Sequence, residues 1–398
     1  MKRQTAGRLA PLLAALAMLG PFSIDTFFPA FRVIGADFGV SPAAMQQTIS
    51  VYLIAYAAMS LFHGPLSDAY GRRRVIIAFT LLFALASAGC ALAPSFHGLL
   101  GFRALQGIAA GAGLIVGRAI IRDRFAGADA QRLMSNVTLI FGMAPALAPI
   151  VGGWLLGVGG WRSLFLLLAG FATVLTLWCA LALPETHPPE ARSRFAPRPL
   201  ARTYAGMLRD RVFLRLGMAA TFNFGALFLY IASAPALILD VLGLSERQFA
   251  WLFVPAIGGM MIGALLSGRL AGRRGAAHTL SLGYRVMGAG VAINLLVCLL
   301  LPPGLPWTVL PVGLLGTGIA ISFPTISLLI LDRFPASRGA ASSLQASFTL
   351  LFNAVLAGLL APWLSHQPLA LAVAACVLIA LGYACTRADR ALPAAPAY

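Results

Sequence analysis

The chain has 398 residues, of which 60% are apolar and 10% charged, with a mean hydropathy of +0.87. A soluble domain of this length could not cover such a composition with a polar surface, so the bilayer must be its solvent. The formal net charge of +17 would suggest a nucleic-acid partner in a soluble protein, and the placement of the basic residues has to decide between the two readings.

Apolar stretches of about 20 residues, each long enough for a helix to cross roughly 30 Å of hydrocarbon, recur along the whole length. The predicted spans start near Leu9, Ala43, Val75, Gly98, Leu133, Ser163, Val212, Phe249, Thr279, Pro306, Gly339 and Leu369, which makes an all-α membrane protein of twelve transmembrane helices. Lys2, Arg3 and Arg8 give the first span the look of a secretory signal, but its apolar run continues to Pro29 without a convincing cleavage site, so an uncleaved helix is expected.

With the amino terminus inside, only Arg32, Arg162 and Arg247 of the 29 basic residues fall outside, Arg103, Arg118 and Arg285 fall within spans, and the rest lie on the inner side. This positive-inside asymmetry assigns the charge to topology and to contact with anionic lipid, with no nucleic-acid partner, and puts both termini in the cytoplasm. Cys90, Cys179, Cys298, Cys376 and Cys385 all lie in predicted spans, without disulfide or zinc spacing, and read as small packing residues. No metal site is expected. The five histidines, His63, His97, His187, His278 and His366, are scattered and receive no role.

The longest polar segment, about 184–211, holds Pro188, Pro189, Pro197, Pro199 and many arginines, and is expected to be a cytoplasmic linker between a six-helix bundle at 1–183 and a second at 212–398. The halves echo each other. Gly64, Leu66, Ser67, Asp68, Gly71, Arg72 and Arg73 after span two find a partial copy in Gly268, Leu270, Arg273 and Arg274 after span eight, and Asp123-Arg124-Phe125 recurs as Asp332-Arg333-Phe334. Two landmarks at nearly the same offset indicate a tandem duplication. Because each half has an even number of spans, the copies are parallel repeats, with a substrate cavity expected between them.

These residues resemble the major facilitator superfamily over essentially the whole chain, in particular its twelve-helix drug:proton antiporters, and most closely the Bcr/CflA group of bacterial drug-resistance exporters. The loop motif is carried by Gly64, Asp68, Gly71, Arg72 and Arg73, and its second-half copy lacks the aspartate. The fourth-helix motif appears as Arg103, Gln106 and Gly107. The fifth-helix motif, similar to an antiporter signature, appears as Pro145, Pro149, Gly152 and Gly153, with Ala148-Pro149 where the family has Gly-Pro. Ser23-Ile24-Asp25 with Pro29, then Gln47, Ser50 and Tyr52, and Leu183-Pro184-Glu185-Thr186 after span six resemble the Bcr/CflA pattern. The resemblance implies the major facilitator fold, two pseudo-symmetric six-helix halves, export of small lipophilic molecules in exchange for protons, no cofactor beyond the proton gradient, and residence in a bacterial inner membrane.

Among the acidic residues, Asp25 alone is placed well inside a span, where an unpaired charge costs at least about 3 kcal/mol. A conformational change that alters its burial or its distance from a cation would make it bind or release a proton. Arg103 lies at a similar depth in span four, so a direct or water-bridged pair with Asp25 is allowed, with a static ion pair as the structural alternative. Asp68 and Arg72 stand at the inner end of span two, where an acid can accept from backbone N–H groups at the start of span eleven, residues 339–342, and form a conformational latch; a purely topological charge cluster is the alternative.

Phe22, Asp25, Phe27, Tyr52, Arg103, Gln106, Asn136, Met143, Phe222, Asn223, Phe224, Tyr230 and Asn353 are candidates to line an amphipathic substrate cavity, since a few polar groups among aromatics suit varied lipophilic ligands. A single buried acid implies about one proton per cycle and tolerance of neutral substrates. An ATP-driven pump is excluded, because the phosphate-binding loop needs a lysine and Lys2 is the only one. No nucleophile–base pair or cofactor loop suggests an enzyme. The remaining alternatives are a proton-coupled transporter of a natural metabolite such as an amino acid, dipeptide or sugar, and a non-transporting receptor on this scaffold. One chain completes the fold, so a monomer is expected.

Overall fold

In the computed structural model, residues 2–125, 127–192, 195–270 and 275–387 are described, apart from the side chains of 2–8, 127–132, 135, 136, 138, 139, 191 and 336. Arg273, Arg274 and the side chain of Asn136 therefore lie outside the described residues. Every regular element among the described residues is helical.

Eleven helical segments are long and apolar enough to cross a membrane. One of them, Ile140–Ala182, runs through Gly160 at φ 69°, where two helices meet at a kink, so it counts as two spans and the expected twelve are present. Span one is Lys2–Asp25 and span two Pro42–Tyr70. Span three is Arg72–Ala91, span four is Phe96–Arg124 with a break at Gly111, and spans five and six are 127–159 and 161–182. Spans seven to ten are Arg211–Ala232, Ala250–Leu270, Ala276–Leu300 and Leu310–Arg333. Span eleven is Arg338–Leu364, with a π-helical turn at Leu356–Leu360, and span twelve is Pro368–Arg387.

Local chemistry sets many of the boundaries. Ser41 caps span two by accepting from the Ala44 N–H at 3.2 Å, with Pro42 at the first helical position, where its missing N–H costs nothing. Ser95 caps span four through the Gly98 N–H at 3.2 Å. Span one ends at Asp25 because Pro29 has no N–H to give the Asp25 carbonyl; a 3-10 turn, Phe28–Ala30, and a short helix, Phe31–Phe38, follow.

The chain divides into two compact units, Met1–Pro197 and Arg198–Tyr398, and the division falls inside the expected linker. In the first unit span four packs against spans one, two and three; in the second, span ten packs against spans seven, eight and nine. The same pairs recur six spans later, as a duplicated bundle requires. The segment expected to be linker holds a helix, Pro197–Arg209, which the proline density concealed. Prolines are tolerated in the first helical turn, and from there Tyr204 and Met207 turn inward while Arg198, Arg202 and Arg209 stay exposed.

Alongside an apolar core, the described residues bury several polar side chains fully and expose large aliphatic ones. Arg103, Gln106 and Ser87 have no exposed surface, while Leu181 is 88% and Leu300 75% exposed. Polar groups inside and aliphatic groups outside suit a chain whose solvent is lipid.

Candidate functional site

The first unit gathers Asp25, Tyr52, Arg103 and Gln106 of the predicted set into one buried cluster. The Arg103 guanidinium carbon sits 4.5 Å from the Phe27 ring centroid and 4.4 Å from that of Tyr52, so two aromatic faces clasp the cation. Its Nε donates to the Thr48 carbonyl at 3.3 Å, and Nη1 donates to the Ser23 carbonyl at 3.2 Å and to Gln106 Oε1 at 2.8 Å. Gln106 Nε2 passes the chain on to Ser87 Oγ at 2.7 Å. The Tyr52 hydroxyl donates to the Gly20 carbonyl at 3.0 Å and lies 2.9 Å from Ser23 Oγ. Spans one, two, three and four are tied together at this level.

Asp25 is 3% exposed, and its carboxyl has no hydrogen-bond or ion-pair partner among the described residues. The direct Asp25–Arg103 pair allowed by their depths is not formed. Arg103 Nε and Nη1 are met by two backbone carbonyls and an amide, and the guanidinium lies against the Phe27 and Tyr52 rings. Arg103 Nη2 is left without a partner among the described residues. The arrangement thus holds a cation on neutral groups and leaves the buried acid without a hydrogen-bond or ion-pair partner among the described residues.

The antiporter-like motif lies against the same stretch of span one. A Cβ at Gly152 would stand 1.9 Å from the carbonyl oxygen of Thr26, so only glycine lets span five approach the backbone directly after Asp25. Gly153 is buried beside it, and Pro145 and Pro149 sit inside the helix.

A second cluster closes the opposite end of the unit. Arg72 Nε lies 3.0 Å from Asp123 Oδ2, its Nη1 donates to Ser67 Oγ at 2.6 Å and to Asp68, and its backbone N–H donates to Glu185 Oε1 at 3.0 Å. Glu185 Oε1 also accepts from the Thr186 and His187 N–H groups at 3.0 Å, and Thr186 Oγ1 donates to Asp123 at 3.0 Å. Arg73 reaches the Ala180 carbonyl at 2.6 Å. Gly71 is required twice: its φ is 96°, and a Cβ there would lie 2.4 Å from Glu185 Oε2. Gly64 has open space around it. Asp123 and Glu185 are the members that sequence reasoning missed as partners; both acids stand at helix ends on the side of the arginine-rich loop, and that was the available signal.

A third lock stands at the far end of the unit, where Asp37 Oδ2 accepts from Trp161 Nε1 at 2.9 Å and from Arg162 Nη1 at 3.0 Å, and Arg162 lies over the Trp161 ring at 4.2 Å. Of the other candidates in this unit, Phe22 is half-buried with its ring 6.3 Å from Phe171, and Met143 is exposed.

In the second unit the predicted polar residues hold helices together. Asn223 Nδ2 donates to the Tyr284 hydroxyl at 3.0 Å, and Asn294 donates to the Tyr230 hydroxyl, so spans seven and nine are joined twice. Asn223 Oδ1 and Asn353 Oδ1 are buried without partners among the described residues, and Phe224 is half-buried. The Asp-Arg-Phe repeat is used differently here: Arg333 Nε and Nη2 both donate to Asp210 Oδ2, at 3.0 and 2.9 Å. Burial pushes the Asp210 carboxyl up, but the Phe213 N–H and the Arg333 guanidinium outweigh it and hold the group below its ordinary value. In the helix before span seven, burial pushes the Tyr204 phenol up to about 12.

A family model described as Major Facilitator Superfamily matches residues 13–355. The chain is 33% identical over 363 residues to the uncharacterized MFS-type transporter YdgK of Bacillus subtilis (strain 168), covering 88% of each chain. It is 27% identical over 371 residues to the bicyclomycin resistance protein homolog of Haemophilus influenzae, covering 93% of each. The crystal structure of the human organic anion transporter MFSD10 (TETRAN) superposes with a TM-score of 0.69 at 19% identity, covering 96% of this chain and 99% of that one, a likeness of fold.

Proposed function

The chain belongs to the Major Facilitator Superfamily, a multi-pass membrane transporter and not an enzyme, and we propose that it exports small lipophilic molecules across a bacterial inner membrane in exchange for protons. The observation that carries this reading is Asp25, a buried carboxyl with no hydrogen-bond or ion-pair partner among the described residues, in the same unit as a buried arginine held by neutral groups. Resistance-named relatives, such as the bicyclomycin resistance protein homolog, support the choice of cargo class.

In this reading a proton from the outer side neutralises Asp25 in one state of an alternating-access cycle and leaves it in the other, once per cycle. Substrate and proton compete for the neighbourhood of Asp25, Tyr52 and Arg103. The membrane potential contributes about 2.3 kcal/mol per charge moved per 100 mV. Both termini lie inside, one chain suffices, and no cofactor beyond the proton gradient takes part.

The test is efflux of a panel of labelled lipophilic compounds from cells expressing wild type or Asp25→Asn, with an uncoupler as control. Efflux abolished by both the uncoupler and the substitution is the expected result. Accumulation that rises with wild type would replace export by import, and efflux untouched by Asp25→Asn would remove the proton role of that residue.

A further inference from the structure

We propose that Arg285, with Ser281 and His278, forms a site on the lipid-facing side of span nine for the phosphate group of an inner-leaflet phospholipid. Span nine is divided cleanly along its length. Residues such as Gly283, Tyr284, Met287, Val291 and Asn294 are buried against the rest of the unit, where the helix packs on spans ten and twelve. The opposite face, at the 3.6-residue period, carries Arg285, Ala289, Ala292, Ile293, Leu296 and Leu300, all exposed. Five of those six are aliphatic, with Leu296 55% and Leu300 75% exposed, as a face in contact with acyl chains would be.

Arg285 is the one charge on that stripe. Among the described residues its only polar contact is the hydrogen bond from Nη2 to Ser281 Oγ at 3.2 Å, and no carboxylate there pairs with it. A guanidinium left among acyl chains costs at least about 2.5 kcal/mol, and such groups are found turned toward a partner or an interface. Here the direction is visible. Ser281 lies one turn nearer the start of the helix, and His278, exposed on the same stripe, lies nearly another turn beyond it. Side chains of a helix lean toward its N-terminus, which favours the same direction.

The depth fits a lipid headgroup. Twenty-five residues make a helix of about 37 Å, roughly 7 Å longer than the hydrocarbon layer. Arg285 is nine residues beyond Ala276, so its Cα lies about 10 Å inside that layer, and the bend toward Ser281 returns the guanidinium by about one turn, 5 Å. A phospholipid phosphate drawn slightly inward meets it there. On the inner-side reading of this helix start, the adjoining loop brings Arg269, Arg273 and Arg274 in sequence, whereas the segment 301–309 at the other end has no basic residue. Anionic headgroups are therefore concentrated at the end toward which Arg285 turns.

The test is native mass spectrometry of the full-length protein, delipidated and then titrated with dioleoyl phosphatidylglycerol or with digalactosyl diacylglycerol, which has no phosphate. Wild type is expected to hold one phosphatidylglycerol about fivefold more tightly than Arg285→Leu does, with Arg285→Lys between them, and to show no such preference for the galactolipid. Arg285→Gln, which keeps a donor for Ser281 but removes the charge, is read in parallel and carries the test if the leucine variant does not fold. Equal retention of phosphatidylglycerol by wild type and the glutamine variant, or equal retention of both lipids by wild type, would overturn the proposal.

Discussion

The guanidinium carbon of Arg103 lies 4.4 Å from the centroid of the Tyr52 ring, and the Tyr52 hydroxyl is bonded to the Gly20 carbonyl on span one. The cation is therefore fixed from spans one and two by groups that carry no charge of their own. None of those contacts is made by Asp25, so the positioning of the arginine is distinct from the proton role proposed for the acid.

Arg103→Lys should not substitute for the wild-type residue. A single ammonium cannot reach the Ser23 and Thr48 carbonyls and Gln106 Oε1 together, nor stack flat between two rings. We expect a loss of about 1–3 kcal/mol from acceptors left buried and unmet, read as a lower melting temperature in detergent and reduced efflux. A lysine variant as stable and active as wild type would contradict this account.

Gly152→Ala places a methyl group where the Thr26 carbonyl already stands, while a Cβ at Gly142 would meet nothing within 4 Å. Overpacking of this kind typically costs about 1–3 kcal/mol. Melting curves should therefore separate the two variants, with Gly142→Ala close to wild type and Gly152→Ala destabilised and impaired in efflux. Equal behaviour would mean that spans one and five are not in close contact at Asp25.

Arg72 and Asp123 should show strong coupling in a double-mutant cycle. The 3.0 Å pair is mostly buried on the arginine side, with side-chain exposures of 8% and 22%, and charge-assisted bonds there are worth about 1.5–3 kcal/mol. Arg72→Ala and Asp123→Asn are each expected to lower thermal stability, and the double variant to lose little more than the worse single one. Simple additivity would show that the two side chains act independently.

The Asp210–Arg333 contact gives a pH dependence with a definite sign. The folded carboxyl is held below its unfolded value of about 3.9, so the contact contributes fully above that value and is lost as pH falls through the lower folded one. The stability difference between wild type and Asp210→Asn should be present at pH 7 and shrink below about pH 4. A difference that grows on acidification would reverse the assignment.

Sequence alone determined the solvent, the number of spans, the duplication and the identity of the buried acid, because each rests on composition or on period along the chain. The inner-side clustering of arginine belongs with them as an expectation about topology. What the tertiary structure decided is which groups meet. The depths of Asp25 and Arg103 allowed a pair, yet rotation of the helices about their axes, which depth does not specify, turned the arginine onto Phe27, Tyr52 and two carbonyls. Glu185 and Asp123 could be read as landmarks but not as partners of Arg72, since 113 and 51 residues separate them from it. The helix at Pro197–Arg209 was hidden for a local reason: its prolines fall in the one turn where a helix tolerates them. Periodicity specifies which face of a helix is apolar; only packing specifies what that face, and the few polar groups on it, will touch.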